Sequence, residues 1–247
     1  MLDIVKAEYQ KTKSSMSRRM IWAFPLLTFI VAFILTAGMK NAYAESVWNW
    51  WYTLLSPGMI ALICHFSMKQ EKKTNYYNLM TLSIDKRKLM LGKILYMSGL
   101  ILVSDVIIFA GALLGGSLLT TNVPFRGAMA AVLVLTVTQL WEIPVFLFLS
   151  ECFGMIPELL LSLFLSVGGT ILSQTRKWYL FVCAIPMRTL TPLLHVLPNG
   201  IGAAEENPLL DMRVVFLGVF LSVVWFVLAA FFFVNWFDGR EVKQECL

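Results

Sequence analysis

Residues 67–95 read SMKQEKKTNYYNLMTLSIDKRKLMLGKIL, a lysine-rich polar stretch that lies between two long apolar segments. The whole chain has 247 residues, of which 58% are hydrophobic and 14% are charged. A soluble domain carries about 45–50% apolar and about 25% charged residues. The composition therefore indicates a polytopic membrane protein, and we expect residues 1–247 to form one transmembrane domain.

Apolar runs recur on both sides of this stretch. A helix needs about 20 mostly apolar residues to cross the ~30 Å hydrocarbon core of a bilayer. The first run precedes an Ala42-x-Ala44 pattern that is typical of signal peptides, but the run is longer than a signal peptide's apolar region. We therefore predict an all-α integral membrane protein with six transmembrane helices, at residues 20–39, 48–68, 93–119, 128–150, 156–173 and 214–236.

The distribution of cations indicates how these helices are oriented. A cytoplasmic amino terminus places most of the 20 lysines and arginines in cytoplasmic segments, as the positive-inside rule requires. Both termini and a segment at 69–92 are then cytoplasmic. Residues 1–19 place Leu2, Val5 and Tyr9 at helical spacing with cations between them, which predicts an interfacial helix beside anionic membrane lipids. A basic tail without a fixed surface is the alternative.

Residues 174–212 are expected on the extracellular side. Their apolar part, 178–185, is too short to cross the membrane, and Pro186, Pro192, Pro198 and Pro208 interrupt the rest. We predict a re-entrant or surface-lying hairpin before the last span. It is either a lid that seals the outer mouth or a surface that contacts substrate, in which case the expected contact residues are Leu193, His195 and Asn199.

The sequence lacks the common catalytic motifs. It has no GxxxxGK[ST], GxSxG or HExxH, and its four cysteines, Cys64, Cys152, Cys183 and Cys246, show no metal-ligand spacing. We therefore expect no catalytic residue, no metal site and no cofactor in this chain, so that a partner would have to bind any ATP and Mg²⁺. Because the cations flank membrane spans, nucleic acid is not an expected partner.

Two carboxylates, Asp105 and Glu142, fall inside predicted spans. An ionisable group in a span is costly enough to be a functional hypothesis by default. A proton-coupled carrier that uses both groups is therefore one interpretation. The other is a structural role, with hydrogen bonds to Ser104, Gln139, Trp141 or neighbouring spans. Glu158 is expected in the first turn of the fifth span, where a carboxylate favours a helix end.

Within residues 67–95, Tyr76 and Leu79 share one side of a short predicted helix and Tyr77 lies on another. A short amphipathic helix with exposed tyrosines suits docking into a groove of a cytosolic partner. The same cations also suit orientation and anionic lipid alone. Composition alone does not decide between docking to a partner and a role in orientation and lipid contact.

The order of elements around this stretch resembles ABC-2 type transporter permeases, with Glu71, Asn75, Leu79, Gly92 and Lys93 at the positions of that family's coupling pattern. More narrowly, the chain looks like lantibiotic-immunity permeases of the MutE and EpiE type. That likeness rests on length, six spans, the entry WNWWYTLLSPGMIAL at 48–62 and the outer stretch AIPMRTLTPLLHVLPNG at 184–200.

The resemblance implies a permease of type V exporter-like architecture in a bacterial cytoplasmic membrane. It would pair with a second, related permease, or with its own copy, and with two copies of a separate ATP-binding subunit. The implied substrate is a lantibiotic exported for self-immunity; bacitracin-type or other drug or peptide exporters are the alternative. The residues expected to couple to the ATPase are Glu71, Thr74, Asn75, Tyr76, Tyr77, Asn78 and Leu79.

Overall fold

The computed structural model describes residues 1–36, 39, 42–73, 76, 85–119, 123–204 and 206–239. The amino-terminal helix α1 spans Leu2–Lys11 and is followed by a turn and by α2, Met16–Thr36. Helix α3, Tyr43–Trp50, continues through a π-helical turn, Trp51–Leu55, into α4, Ser56–Lys73. Helix α5, Lys86–Leu119, has 34 residues.

The fourth predicted span is broken, which corrects the single helix expected at 128–150. Helices α6, Phe125–Gln139, and α7, Glu142–Cys152, meet at an angle of 41°. Pro144 supplies the physical reason, since it has no N–H to donate to the carbonyl of Leu140 four residues earlier. Helix α8, Met155–Leu172, and helix α10, Arg213–Asp238, complete the long apolar helices.

Among the described residues, five helices are long and apolar enough to cross a membrane, and a sixth span results if the bent α6–α7 pair counts as one. The six apolar segments expected from hydropathy therefore correspond to helices. The helices are longer than the apolar runs: α4 ends at Lys73 and α5 begins at Lys86. Hydropathy misses these ends because polar residues can continue a helix beyond the hydrocarbon.

The segment before the last span is more helical than its prolines suggested. After 3₁₀ turns at Trp178–Leu180 and Val182–Ala184, residues Ile185–Leu194 form α9, in which every residue is buried. Pro186 lies at the start of α9, where a missing N–H costs no helical hydrogen bond. A further 3₁₀ turn lies at Pro208–Leu210. The expected breaks at Pro186 and Pro192 are therefore wrong, because Pro186 lies in the first turn of α9 and Pro192 lies within the helix.

Contacts between helix ends define two ends of the bundle. At one end, which we call the basic end, the start of α5 meets the ends of α4 and α10 through Lys93–Glu71 and Arg87–Asp238 ion pairs. The end of α7 joins them there, because Lys72 Nζ donates to the Ser150 carbonyl at 3.1 Å. Helix α9 lies at the opposite end, against the start of α6, and Asn49 of α3 donates to the Pro198 carbonyl in the segment that follows α9.

Gly127 in the first turn of α6 allows α9 to pack closely. A Cβ at this position would lie 1.9 Å from the Leu193 carbonyl oxygen. We expect Gly127→Ala to push α9 away and to lower stability by about 1–3 kcal/mol, the usual cost of overpacking. Thermal unfolding of the purified chain measures the loss. Gly168→Ala is the control, since no atom lies within 4 Å of its added Cβ; equal melting temperatures for the two variants would contradict the packing argument.

Candidate functional site

A buried ionic cluster lies at the basic end and joins the first and last turns of the lysine-rich stretch. At its centre is Lys93 of α5, whose side chain is only 1% exposed. Its ammonium group lies 2.7 Å from Glu71 Oε1 and 3.0 Å from Glu8 Oε2, and it donates to Ser67 Oγ at 3.0 Å. One lysine therefore joins α1, α4 and α5.

Lys11 supplies the second cation of the cluster. Its ammonium group contacts Glu71 and lies 3.4 Å from Glu8 Oε1. The Gln70 side chain also donates to the Lys11 carbonyl at 3.0 Å. Within the part of the chain that the structure describes, two cations thus face two carboxylates, and this pairing matters because an unpaired buried charge is strongly destabilising.

Gly92 explains how α1 comes close enough to α5 for these contacts. A Cβ at Gly92 would lie 2.4 Å from Ile4 Cγ2, so only glycine fits beneath α1 without a shift. Gly92 and Lys93 were singled out in the sequence through their places in the coupling pattern. In the structure, the glycine allows the close approach of α1 and the lysine forms its ion pairs.

The turn after α1 is held by an exposed pair. Arg18 donates from Nη2 to the Tyr9 hydroxyl oxygen at 2.9 Å, and its guanidinium carbon lies 4.4 Å from the centre of the Tyr9 ring. This hydrogen bond and the positive charge of Arg18 lower the pKa of Tyr9 below its usual value of 10.0. The contact orients the start of α2 relative to α1.

Of the residues expected to couple to an ATPase, Glu71 and Tyr76 lie in the described part of the chain; Thr74, Asn75, Tyr77, Asn78 and Leu79 lie outside it. Glu71 is fully buried in the ionic cluster. Tyr76 donates its hydroxyl to Glu151 Oε1 at 2.6 Å, and its ring packs against Phe237 with centroids 6.4 Å apart. Both side chains therefore connect the lysine-rich stretch to the helices around it.

Lys72 holds the end of α7. Its ammonium group donates to the Ser150 carbonyl at 3.1 Å and to the Glu151 carbonyl at 3.0 Å, and lies 3.5 Å from Glu151 Oε2. The last carbonyls of a helix lack internal partners and carry partial negative charge, so a lysine there is stabilising. This cation therefore has a local structural role in addition to its contribution to net charge.

Asp105 lies deep in the bundle with a fully buried side chain. It accepts hydrogen bonds from Trp51 Nε1 at 2.8 Å and from Thr136 Oγ1 at 2.6 Å. Trp51 begins the π-helical turn before α4, and Thr136 belongs to α6. The carboxylate thus joins spans two, three and four. The structural alternative drawn from the sequence named Ser104, Gln139, Trp141 or neighbouring spans as partners, and the partners observed for Asp105 lie in neighbouring spans.

Glu142 lies at the α6–α7 break and lines a small cavity with Gln139 and Ser166. Glu142 Oε2, Gln139 Nε2 and Ser166 Oγ are all buried without a hydrogen-bond partner in the described structure. The space open to a water centre is about 10 Å³, close to the minimum for one water molecule. The cavity therefore has the size and the polar lining to hold one water molecule beside the Glu142 carboxyl group.

Glu158 lies in the first turn of α8, as expected, and is 1% exposed. Its Oε2 lies 3.5 Å from His65 Nδ1, which is also 3.3 Å from Ser150 Oγ. This contact between α4, α7 and α8 had no signal in the sequence. Within the described ranges, no group of three or more His, Cys, Asp or Glu side chains is placed to hold a metal, and Cys64, Cys152 and Cys183 are free thiols.

The three residues expected to contact substrate are not equally accessible. Leu193 in α9 is buried at 6% exposure, whereas His195 and Asn199 are exposed. His195 ends α9 in a left-handed conformation with φ of 57°, and Asn199 lies in the turn closed by the Val196–Gly202 bridge. The structure thus presents two of the three side chains at the end of the bundle opposite the basic end.

The apolar helices define a multi-pass membrane protein. Residues 4–173 match the family model described as "ABC-2 family transporter protein". Since this match spans more than half of the chain, the chain belongs to the ABC-2 transporter family, whose members are membrane permeases of ABC transporters that work with an ATP-binding partner. No curated protein sequence and no solved structure shows significant similarity to it.

Proposed function

We propose that this permease exports a lantibiotic or a similar antimicrobial peptide from the cytoplasmic membrane of a bacterium, so that the cell resists the peptide. It acts with two copies of an ATP-binding subunit and a second, related permease, and both of its termini are cytoplasmic. The peptide class is supported by the likeness of residues 48–62 and 184–200 to lantibiotic-immunity permeases. An exporter of bacitracin-type or other drugs or peptides is the alternative.

The ionic cluster around Lys93 is the observation that carries the coupling part of this proposal. Within the lysine-rich stretch, α4 ends two residues after Glu71 and α5 begins seven residues before Lys93. The Glu71 and Lys93 side chains are paired at 2.7 Å. A force applied to the stretch therefore acts on α4 and α5 together. Glu8 extends the same connection to α1. Coupling requires such a linked element whose position differs between the partner's two states.

Tyr76 offers a second connection, to the broken span. Its hydrogen bond with Glu151 and its ring contact with Phe237 join the stretch to the ends of α7 and α10. Movement of the stretch would then be transmitted to α7, the half of span four between the 41° bend and the basic end. At the opposite end, exposed His195 and Asn199 are the positions that we propose contact the peptide, and reaching Leu193 requires α9 to move.

Replacing Tyr76, Tyr77 and Leu79 together by alanine tests the coupling. We expect resistance to the peptide to fall by at least about tenfold, because loss of packing worth about 1.4 kcal/mol in the docked state weakens docking tenfold. Two measurements are needed in cells that also produce the ATP-binding subunit: the inhibitory peptide concentration, and recovery of that subunit with the tagged permease. Both should fall while the amount of inserted permease stays normal.

Phe164→Ala is the control, since Phe164 is an apolar side chain on α8 that is 71% exposed. It removes a comparable aromatic group away from the basic end, and resistance should be unchanged. Full resistance in a correctly inserted triple variant would refute the proposed coupling. A different result would refute only the substrate class. In that case the triple variant would recover less ATP-binding subunit and would lose resistance to other drugs, but it would keep its resistance to lantibiotics.

A further inference from the structure

A second feature of the basic end is a polar groove between the α1–α2 turn and α4. It has a volume of about 450 Å³. One wall is a stripe of α4 that consists of Phe66, Lys69, Gln70 and Lys73, at the i, i+3, i+4 and i+7 spacing of a single helix face. The other wall is formed by the turn residues Lys11, Ser14, Ser15 and Met16.

The charge of the groove is one-sided. Among the described residues, three lysines line it and no acidic residue does. Lys11 is neutralised by Glu8 and Glu71, but Lys69 and Lys73 are exposed and form no ion pair with any residue that the structure describes. Two cations and the Ser14 hydroxyl therefore face a cavity whose described lining holds no counter-charge. This arrangement suits a phosphate group, which accepts hydrogen bonds from ammonium and hydroxyl donors.

The walls of the groove are also fixed in place. Gln70 donates to the Lys11 carbonyl at 3.0 Å, and Ser17 Oγ donates to the Ile63 carbonyl at 3.3 Å. These bonds hold the turn against α4, so the lysines face a preformed cavity. The groove lies where α2 begins and α4 ends, and Met16 and Phe66 give it an apolar part.

We propose that this groove binds the phosphate of an anionic phospholipid headgroup. Lys69 and Lys73 contact the phosphate, Ser14 donates to it, and Met16 and Phe66 lie against the first carbons of the acyl chains. A free phosphate would make the same ionic contacts with the lysines but has no acyl chains to pack against Met16 and Phe66. The site is independent of the transported substrate, and its occupant would link the α1–α2 turn to α4 beside the ionic cluster.

The test compares the purified full-length chain with a Lys69→Gln/Lys73→Gln variant in detergent. The probes are phosphatidylglycerol, phosphatidylcholine and inorganic phosphate. Phosphatidylglycerol should be retained by the wild type in native mass spectrometry and should raise its melting temperature. The double variant should bind it roughly 30-fold more weakly, the loss expected for two lysines near an anionic surface. A Lys69→Arg/Lys73→Arg variant should keep the binding.

The matched control is Lys6→Gln/Lys88→Gln, which removes two exposed cations from the basic end that do not line the groove. This control should retain phosphatidylglycerol as the wild type does. Equal losses in the two double variants would mean nonspecific attraction and would overturn the site. Equal stabilisation by phosphatidylcholine would overturn the requirement for an anionic headgroup. Protection by inorganic phosphate equal to that by phosphatidylglycerol would overturn the lipid assignment and leave a free anion as the occupant.

Discussion

Replacing Lys93 by methionine should destabilise the protein more than any other single change at the basic end. Methionine fills a similar volume but removes one of the two cations that Glu8 and Glu71 share. Breaking a buried ion pair by removing one partner costs about 3–5 kcal/mol, because the other charge stays buried. Lys11 still contacts both carboxylates, which limits the loss to one of the two cations. The melting temperature of the purified chain and its abundance in the membrane measure the effect.

Lys88→Met on the same helix is the matched control. Lys88 is exposed and has no ion pair among the described residues, so its loss should change stability by less than about 0.5 kcal/mol. A Lys93→Met/Glu71→Gln double variant should recover part of the stability, since it removes one carboxylate with the cation. Equal melting temperatures for Lys93→Met and Lys88→Met would show that the cluster does not stabilise the contact between α1, α4 and α5.

The spans could be predicted from sequence because crossing a bilayer imposes a length and a composition on each helix. The break within span four had a weaker signal. Pro144 is visible in the sequence, but a proline within a membrane helix does not by itself show whether the helix bends there. The hydrogen bond that Pro144 cannot donate to the Leu140 carbonyl, and the 41° bend at that point, become apparent only from the backbone structure.

The ionic cluster could not be predicted, although its residues are visible in the sequence. Glu8 and Lys93 are separated by 85 positions, and Glu71 by 22 from Lys93. Charged residues at helix ends normally face water, so nothing in their spacing indicates burial. The close approach of α1 to α5 that Gly92 permits brings Glu8 of α1 to Lys93. A contact between distant segments is a property of packing, and local patterns carry no record of it.

Asp105→Leu is expected to have the second-largest effect. Leucine cannot accept the hydrogen bonds of Trp51 and Thr136, and Trp51 is fully buried. The Thr136 hydroxyl has one proton, which it can donate to the Val132 carbonyl 2.9 Å away once Asp105 is gone, so it keeps a partner, whereas the indole N–H does not. Two lost buried hydrogen bonds, one with its donor left unpaired, should lower stability by about 3 kcal/mol. Thermal unfolding and membrane abundance again provide the measurement.

Asp105→Asn separates the structural role from proton coupling. The amide oxygen still accepts from Trp51, so the variant should remain folded, but an amide cannot exchange a proton as a carboxyl group can. If Asp105 is a structural link, peptide export should survive Asp105→Asn, and export should also survive Glu142→Gln, while both variants still require the ATP-binding subunit. Loss of export in a folded Asp105→Asn or Glu142→Gln variant, with ATP hydrolysis intact, would instead favour the proton-coupled carrier. Glu142→Gln is the more stringent of the two, because glutamine has nearly the same size as glutamate beside the small cavity but lacks the ionisable group.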